Sequence, residues 1–187
     1  KKPITKVDDF KGLKFRTNGL AIDLFTAMGA AVNALPGGEI VPAMERGVID
    51  GFEFNNPTSD RRFGAQDVAK YYMMGSHHQA TEYFEIMFNK TKFNALPAEH
   101  KAILQYAAEA VSSANEWKAM DYYSKDLQEL ISKDKVNVQR TPKSVFDAQI
   151  KAWDGLIAQL GSDPFMKKVM DSQKAWVRRV VYYNMNN

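Results

Sequence analysis

The 187 residues of the chain carry 25 Lys and Arg against 22 Asp and Glu, a formal net charge of +3, and 45% of them are hydrophobic. This is the composition of an ordinary globular protein, without the concentrated basic face that nucleic-acid binding requires. The absence of cysteine excludes disulfides and thiolate metal sites, and no apolar run approaches the roughly 18 residues that span a bilayer. The basic pairs are expected to be solvated surface: Arg61-Arg62, Lys167-Lys168 and Arg178-Arg179.

The first part of the chain alternates strand and helix signals. Gly12–Thr17 alternates apolar and polar residues and predicts a strand, and "AIDLFTAMGA" predicts a helix that ends near Gly29. "AVNALP" and "IDGFEF" predict two further strands around a second short helix, "EIVPAMERGV". This order predicts an α/β layer with a mostly parallel sheet, in which ligands bind beyond the carboxyl ends of the strands. Arg16 and Glu53 both fall at such ends.

Helices dominate the later part of the chain. "NNPTSDRRFG" is rich in turn-forming residues and predicts a loop, and Tyr83–Asn89 predicts a buried strand. No glycine occurs from Leu96 to Asp134, where apolar residues recur at helical spacing and predict an amphipathic helix of roughly 50 Å. "VNVQRTP" predicts a short strand, followed by two C-terminal helices. We therefore divide the chain into an α/β lobe (1–54), a crossover segment with a strand of another lobe (55–95), the long helix (96–134) and a C-terminal strand with helices (135–187).

Few residues offer catalytic or metal-binding chemistry. His77, His78 and His100 lack the spacing of a zinc site and are expected on the surface or in a pocket wall. Gly37 and Gly38 precede a helix, where free N–H groups would suit an anion or simply form a turn. The sequence pairs no nucleophile with a base, so an enzyme is not favoured.

Arg16 is the strongest candidate for binding a ligand. It ends a predicted strand, and a guanidinium there presents two parallel N–H groups that match the two oxygens of a carboxylate. A salt bridge on the protein surface is the alternative role for this residue.

Several ordered blocks resemble the solute-binding subunits of TRAP (tripartite ATP-independent periplasmic) transporters, the DctP-like family. "GLKFR" is similar to the family's strand with the ligand-binding arginine, and "LPGGEIVPAMERGVIDGFEF" is similar to its "GGE…ALERGVIDA.EW" block. "VAKYYMMGSHHQATEYFEIMFNK" and "FNALPAEHKAIL" resemble the segments that follow. The resemblance covers nearly the whole chain, and the subgroup most resembled binds 2-oxo monocarboxylates with a metal ion.

The resemblance implies a set of site residues. Arg16 would bind the carboxylate, and Glu53 and the backbone carbonyl of Phe54 would ligate Na⁺ or Ca²⁺, both of which prefer oxygen ligands. Phe54 stands where the family has tryptophan, which alters the pocket wall. The family's downstream glutamine, in a "PGWHQPG"-like turn, best matches Gln79, which would be a further oxygen ligand of a metal that bridges the protein and the bound carboxylate. His77 takes the place of an aromatic residue and would line the cleft. "MGSHHQAT" lacks that turn's proline and tryptophan.

The resemblance also implies the biology of the protein. It predicts a periplasmic binding protein with two α/β lobes and a long inter-lobe helix, which closes around a small organic carboxylate such as pyruvate and delivers it to TRAP membrane subunits. Family members are longer, so this chain is expected to be a C-terminal portion in which the N-terminal lobe is largely missing. Arg16→Ala is expected to abolish binding and to leave the fold intact.

A different class of function stays open from the sequence. The long helix and the aromatic tail "AWVRRVVYYNM" suit an oligomerising interaction module, and some family members form a homodimer through the C-terminal helix. The apolar residues of this tail would then form a contact stripe, with ordinary core packing as the alternative: Trp176, Val177, Val180 and Val181.

Overall fold

A computed structural model describes residues 2–78 and 84–186 of the chain. Within them, the strands are β1 (Lys14–Arg16), β2 (Ala31–Asn33), β3 (Gly51–Phe52), β4 (Tyr71–Met74) and β5 (Asn137–Arg140). The helices are α1 (Ala21–Ala27), α2 (Ile40–Glu45), α3 (Pro57–Arg62), α4 (Ala65–Val68), α5 (Lys90–Asn94), α6 (Ala98–Ser132), α7 (Lys143–Leu160) and α8 (Pro164–Asn186). Two short 3-10 helices lie at Val7–Phe10 and Gly37–Glu39.

The first sheet confirms the predicted parallel α/β arrangement. Its strand order is β2-β1-β3, with both neighbours parallel to the central strand β1. Phe15 in β1 stands opposite Val32 on one side and Gly51 on the other. Consequently Arg16, the last residue of β1, lies beside the end of β3, where Glu53 follows.

Aromatic side chains fill the core beneath this sheet. Phe25 of α1 stacks on Phe10 with ring centroids 5.6 Å apart and packs at a tilt against Phe15 at 4.7 Å. Val145 of α7 is fully buried in the same cluster. A second cluster forms around Ile40 and Met44 of α2. These contacts hold β1 and α7 in one core, so α7 is a fixed support for what lies above the sheet.

The second sheet pairs strands that are far apart in sequence. β4 and β5 are parallel, with Tyr71 opposite Asn137 and Met74 opposite Arg140. The sequence indicated β5 but not β4. The helices α5 and α6 lie between the two strands along the chain, so their pairing depends on a long crossover that local patterns do not encode.

The predicted loop "NNPTSDRRFG" is wrong, because it contains the helix α3. The Asn56 side-chain oxygen accepts from the backbone N–H of Ser59 at 3.0 Å and caps the helix, and Pro57 occupies its first turn. Asn followed by Pro is an N-terminal helix signal. The polar composition that favoured a loop instead reflects the capping residues of a short helix.

The predicted strand at Tyr83–Asn89 is also wrong over the residues that the structure describes. Tyr83 lies outside them, and Phe84–Asn89 forms no strand. The apolar side chains of this segment are exposed: Phe84, Ile86, Met87 and Phe88. An apolar run favours burial, but a strand also needs a neighbour with which to pair, and none of the described strands lies beside this segment.

The long helix is confirmed as α6, a run of 35 residues and roughly 50 Å. Its predicted amphipathic character is weak, because many of its apolar side chains are exposed and Leu130 is its buried residue among those described. Near this buried end, Arg61 of α3 contacts three acidic groups, so this arginine is an interhelical tether rather than a solvated charge. Its partners are Asp126, Glu129 and Asp134.

The C-terminal helices have different environments. α7 packs against α1 and the 3-10 helix at Val7–Phe10, and its Val145 and Gln149 are both buried. No described residue of α8 is buried: Trp176, Val177 and Val181 are exposed and Val180 is half-buried. Core packing among the described residues therefore does not account for this stripe. No helix in the described ranges combines the length and hydropathy needed to cross a bilayer.

Candidate functional site

The candidate site is a cleft of about 950 Å³ that both sheets line. β3 and the turn after it contribute Glu53 and Phe54, and β4 and its following turn contribute Tyr72, His77 and His78. The cleft therefore lies beyond the carboxyl ends of parallel strands, which is where α/β sheets bind ligands.

Arg16 is buried at the end of the central strand, with 3% of its surface exposed. Its Nε donates to the Leu35 carbonyl at 2.8 Å, and Nη1 donates to the Glu53 carbonyl at 2.8 Å and to Glu53 Oε1 at 3.1 Å. This burial excludes the surface salt bridge considered from the sequence. The Nη2 group makes no hydrogen bond with the described residues, so a side-on bidentate carboxylate would have to replace the bond to Leu35.

Glu53 is the residue on which the polar contacts converge. Besides Arg16, the Thr17 hydroxyl lies 3.1 Å from Oε1 and donates to it. Oε2 lies 3.3 Å from Nε2 of His78, and only 13% of the glutamate side chain is exposed. A carboxylate that accepts from this many donors is held in a fixed orientation. Arg16 and Glu53 together carry no net charge.

Phe54 explains Gly37, the first glycine of the pair that precedes α2. A Cβ at Gly37 would lie 2.8 Å from Cε2 of Phe54, closer than side chains approach one another. Phe54 also packs edge-on against Phe63 with ring centroids 4.8 Å apart. Gly37 therefore allows the Phe54 ring to lie against the backbone, which is a packing role and not evidence for an anion site.

A buried glutamine of α7 fixes the loop that carries the two histidines. Gln149 Oε1 accepts from the backbone N–H of His77 at 2.8 Å, and Trp153 donates to the His77 carbonyl at 2.6 Å. The His77 ring packs against Phe146, with centroids 4.9 Å apart. His77 and His78 both line the cleft, as the pocket-wall alternative for these histidines anticipated. Gln79 lies outside the described residues.

Asp60 and Tyr72 form a buried polar pair that the sequence did not reveal. The Tyr72 hydroxyl donates to Asp60 Oδ2 at 2.8 Å, and the Asn55 N–H donates to Oδ1 at 3.3 Å. Burial raises the pKa of the Asp60 carboxyl from its usual 3.8 to about 6, against those hydrogen bonds and helped by the charge of Glu53. The pair links the turn after β3 to β4. If α3 had been predicted from the sequence, Asp60 would have been a candidate residue, because α3 begins shortly after Glu53 in the chain.

The oxygen donors at this site have the chemistry of a hard-cation site. The Glu53 carboxylate and the Phe54 carbonyl suit Na⁺ or Ca²⁺. Among residues 2–78 and 84–186, no three His, Asp or Glu side chains gather as a metal-binding group. A cation held by Glu53 would therefore need further ligands beyond the histidine and acidic side chains of these ranges, such as Gln79, water or a bound anion.

Comparison with known proteins places the chain in a family. The DctP family profile, described as bacterial extracellular solute-binding protein, family 7, matches residues 1–160. A monocarboxylate 2-oxoacid-binding periplasmic protein of Nostoc sp. is 29% identical over 189 residues, covering 100% of this chain and 51% of that protein. The chain therefore spans about half the length of this curated relative.

Solved structures give the same result. A TRAP periplasmic solute-binding protein of Colwellia psychrerythraea with bound calcium and pyruvate has a TM-score of 0.88 and 30% identity, over 99% of this chain and 57% of its own. A TRAP transporter solute-binding protein of Bordetella bronchiseptica, a mixed-occupancy dimer with calcium and picolinate, has a TM-score of 0.77 and 27% identity, over 99% and 57%.

Further matches differ in what they hold. A protein of Pseudoalteromonas atlantica contains sodium and pyruvate and one of Citrobacter koseri contains D-glucuronate, both at 28% identity, with TM-scores of 0.82 and 0.69. They cover 97% and 91% of this chain and 56% of their own. These relatives are solute-binding transport proteins and not enzymes. At the level of the family, this confirms the prediction from the sequence that the protein is not an enzyme. The chain belongs to the DctP family of bacterial extracellular solute-binding proteins.

Proposed function

We propose that this chain forms the carboxylate-binding part of a periplasmic solute-binding protein that delivers its ligand to the membrane subunits of a TRAP-type transporter. The observation that carries the proposal is the Arg16–Glu53 pair, buried beside the cleft at the ends of two adjacent parallel strands. Family membership supports the binding role, and the periplasmic relatives support the location.

The charges around the cleft favour capture of an anion together with a cation. Glu53 already neutralises Arg16, and Asp60 adds a further carboxyl in the cleft wall. A ligand carboxylate entering here would meet net negative charge in a partly buried space, which is unfavourable. A hard cation on Glu53 would offset that repulsion and provide a second contact for the ligand. Arg16 would contribute its Nη2 group.

Within the class of organic carboxylates, we propose a 2-oxo monocarboxylate such as pyruvate. The Nostoc relative is a 2-oxoacid-binding protein, and two of the similar structures hold pyruvate with calcium or sodium. The matches with picolinate and D-glucuronate make these compounds the comparison ligands. The site holds the anion without reacting on it, and binding would favour a closed state of the two lobes of the full-length protein.

The cation is expected to determine the affinity for the acid. Calorimetric titration of the full-length protein with pyruvate should show tight binding with Ca²⁺ or Na⁺ and at least tenfold weaker binding after chelation in a potassium buffer. Glu53→Gln keeps the size of the side chain but removes its charge, so the remaining affinity should no longer depend on the cation. The exposed Glu109→Gln of α6 serves as a control that should retain that dependence.

The titration distinguishes the two parts of the site. Binding that is equally tight with and without the cation would remove Glu53 as a cation ligand and leave Arg16 in place. An absence of binding to pyruvate, picolinate and D-glucuronate under every cation condition would contradict the proposed function.

Assembly into a homodimer through α8 is part of the same proposal. The exposed Trp176, Val177 and Val181 support a contact there, as does the dimeric Bordetella relative. The alternative function, a purely structural or oligomerising module, is not favoured, because the family match and the cleft both support solute binding.

A further inference from the structure

A chain of hydrogen bonds runs from α7 to the proposed ligand site. Gln149 Nε2 donates to the Ser76 hydroxyl oxygen at 2.9 Å, and this oxygen lies 2.6 Å from Nδ1 of His78. On the other side of the imidazole, Nε2 lies 3.3 Å from Glu53 Oε2. Gln149 is only 2% exposed, and the His78 ring also packs against Phe25 with centroids 5.6 Å apart. The chain therefore starts from a fixed point in the core.

The direction of each hydrogen bond follows from counting donors and acceptors. The Gln149 amide is oriented by its oxygen, which accepts from the His77 N–H at 2.8 Å, so its nitrogen must face Ser76. Ser76 Oγ accepts from that nitrogen and from the backbone N–H of His78 at 3.2 Å. Since a hydroxyl oxygen has two lone pairs, the Ser76 proton is left to donate to His78 Nδ1.

The tautomer of His78 follows. Nδ1 accepts a hydrogen bond from the Ser76 hydroxyl, so the ring proton of a neutral imidazole must lie on Nε2, which then donates to Glu53 Oε2. Oε1 of Glu53 already accepts from Arg16 and Thr17. One acceptor position on Oε2 therefore remains unused among the contacts of the described residues.

We propose that His78, held as the Nε2–H tautomer by Ser76 and Gln149, is a positioning residue that orients Glu53 so that one lone pair of Oε2 faces the ligand site. Glu53 then contacts a cation through one oxygen and not through both. The inference deepens the proposed function and rests on it for the identity of the ligand, whereas the tautomer itself needs no ligand.

Two substitutions of His78 distinguish the hydrogen bond that Nε2 donates to Glu53 from the other contacts of the side chain. The amide nitrogen of glutamine reaches about as far as Nε2 of histidine, so His78→Gln keeps a donor toward Glu53. His78→Asn is shorter and keeps only the contacts near Ser76. We expect His78→Gln to bind pyruvate with Ca²⁺ within about threefold of the wild type, and His78→Asn to bind at least tenfold more weakly, the loss typical of a hydrogen bond to a charged group.

The tautomer is tested by nitrogen NMR of the full-length protein labelled with ¹⁵N-histidine, at pH 8 and without ligand. His78 should show a protonated Nε2 and an unprotonated Nδ1. Ser76→Ala removes the donor to Nδ1 and should shift His78 toward the mixture of tautomers of a solvated imidazole. His100, which is exposed on α6, gives that reference in the same spectrum.

Each result bears on the proposal independently of the ligand's identity. A His78 that is protonated on Nδ1, or that does not respond to Ser76→Ala, would overturn the positioning role even if pyruvate binds. Equal affinities of the two His78 variants, with both folded by their NMR spectra, would overturn it as well. The expected tautomer in a protein that binds none of the tested acids would support the orientation of Glu53 and contradict only the proposed function.

Discussion

Replacing Arg16 with alanine is expected to abolish carboxylate binding and to lower the free energy of unfolding by roughly 3–5 kcal/mol. The guanidinium makes three hydrogen bonds to protein oxygens, two of them to Glu53. Its removal leaves the Glu53 carboxylate, which is 13% exposed, without its cationic partner. The sequence suggested that this substitution would leave the fold intact, but the geometry makes Arg16 a structural residue as well as a candidate ligand contact.

A double variant tests whether the unpaired charge of Glu53 causes the loss of stability. Arg16→Ala combined with Glu53→Gln removes the unpaired charge, so urea denaturation should show that most of the lost stability returns while binding does not. If Arg16→Ala is as stable as the wild type, the buried pair does not have the energetic role assigned to it. If the double variant binds pyruvate as the wild type does, neither residue belongs to the ligand site.

Replacing Asp60 with asparagine is expected to stabilise the protein at neutral pH, by up to about 3 kcal/mol for a pKa difference of this size. The folded-state pKa of about 6 lies above the ordinary 3.8. Between these two pKa values the folded protein binds more protons than the unfolded chain. The contribution of Asp60 to the free energy of unfolding is therefore complete below about pH 4 and is lost as the pH rises through 6. Asparagine resembles the protonated acid and has no such loss.

Urea denaturation at pH 4 and pH 7.5 measures the free energy of unfolding of Asp60→Asn and of the wild type. The difference in unfolding free energy between Asp60→Asn and the wild type should be small at pH 4 and should grow through pH 6. Asp67→Asn, on an exposed position of α4, should show no such growth. A pH-independent difference for Asp60→Asn would mean that the carboxyl titrates as it would in water and that burial does not determine its charge.

Asp60 also shows how buried polar groups can serve a site at a cost in stability. Its carboxyl joins the Asn55 N–H, just after Glu53 and Phe54, to the Tyr72 hydroxyl of β4. Burial, and then the charge of Asp60, raise the pKa of the Tyr72 hydroxyl well above its ordinary range, so this hydroxyl remains a donor. The pair fixes the turn that carries Glu53 relative to the second sheet.

The sequence was sufficient to predict that Arg16 and Glu53 lie together at the candidate site, because local pattern and sheet topology determine their placement. Arg16 ends β1 and Glu53 follows β3, and the parallel order β2-β1-β3 brings the two strand ends together. The contacts around this pair depend on long-range packing instead. His78 and Thr17 reach Glu53 from 25 and 36 residues away in the chain, and no spacing rule connects them.

The errors in secondary structure have equally specific causes. The helix α3 was missed because its charged and polar residues lack an apolar period, although Asn56 and Pro57 marked its start. The strand predicted at Tyr83–Asn89 was inferred from an apolar run, whose described residues are exposed and unpaired with any described strand. Propensity indicates what a segment can form, whereas its neighbours decide what it does form.

The cation–carboxylate site is the central claim, and native mass spectrometry of the full-length protein tests it most directly. With pyruvate and calcium or sodium, the account predicts a protein ion that carries one pyruvate and one cation together, at the mass of one or two chains. The same ion should be absent for the Arg16→Ala, Glu53→Gln double variant. A wild-type protein that takes up no pyruvate, picolinate or D-glucuronate, with or without either cation, would contradict the account.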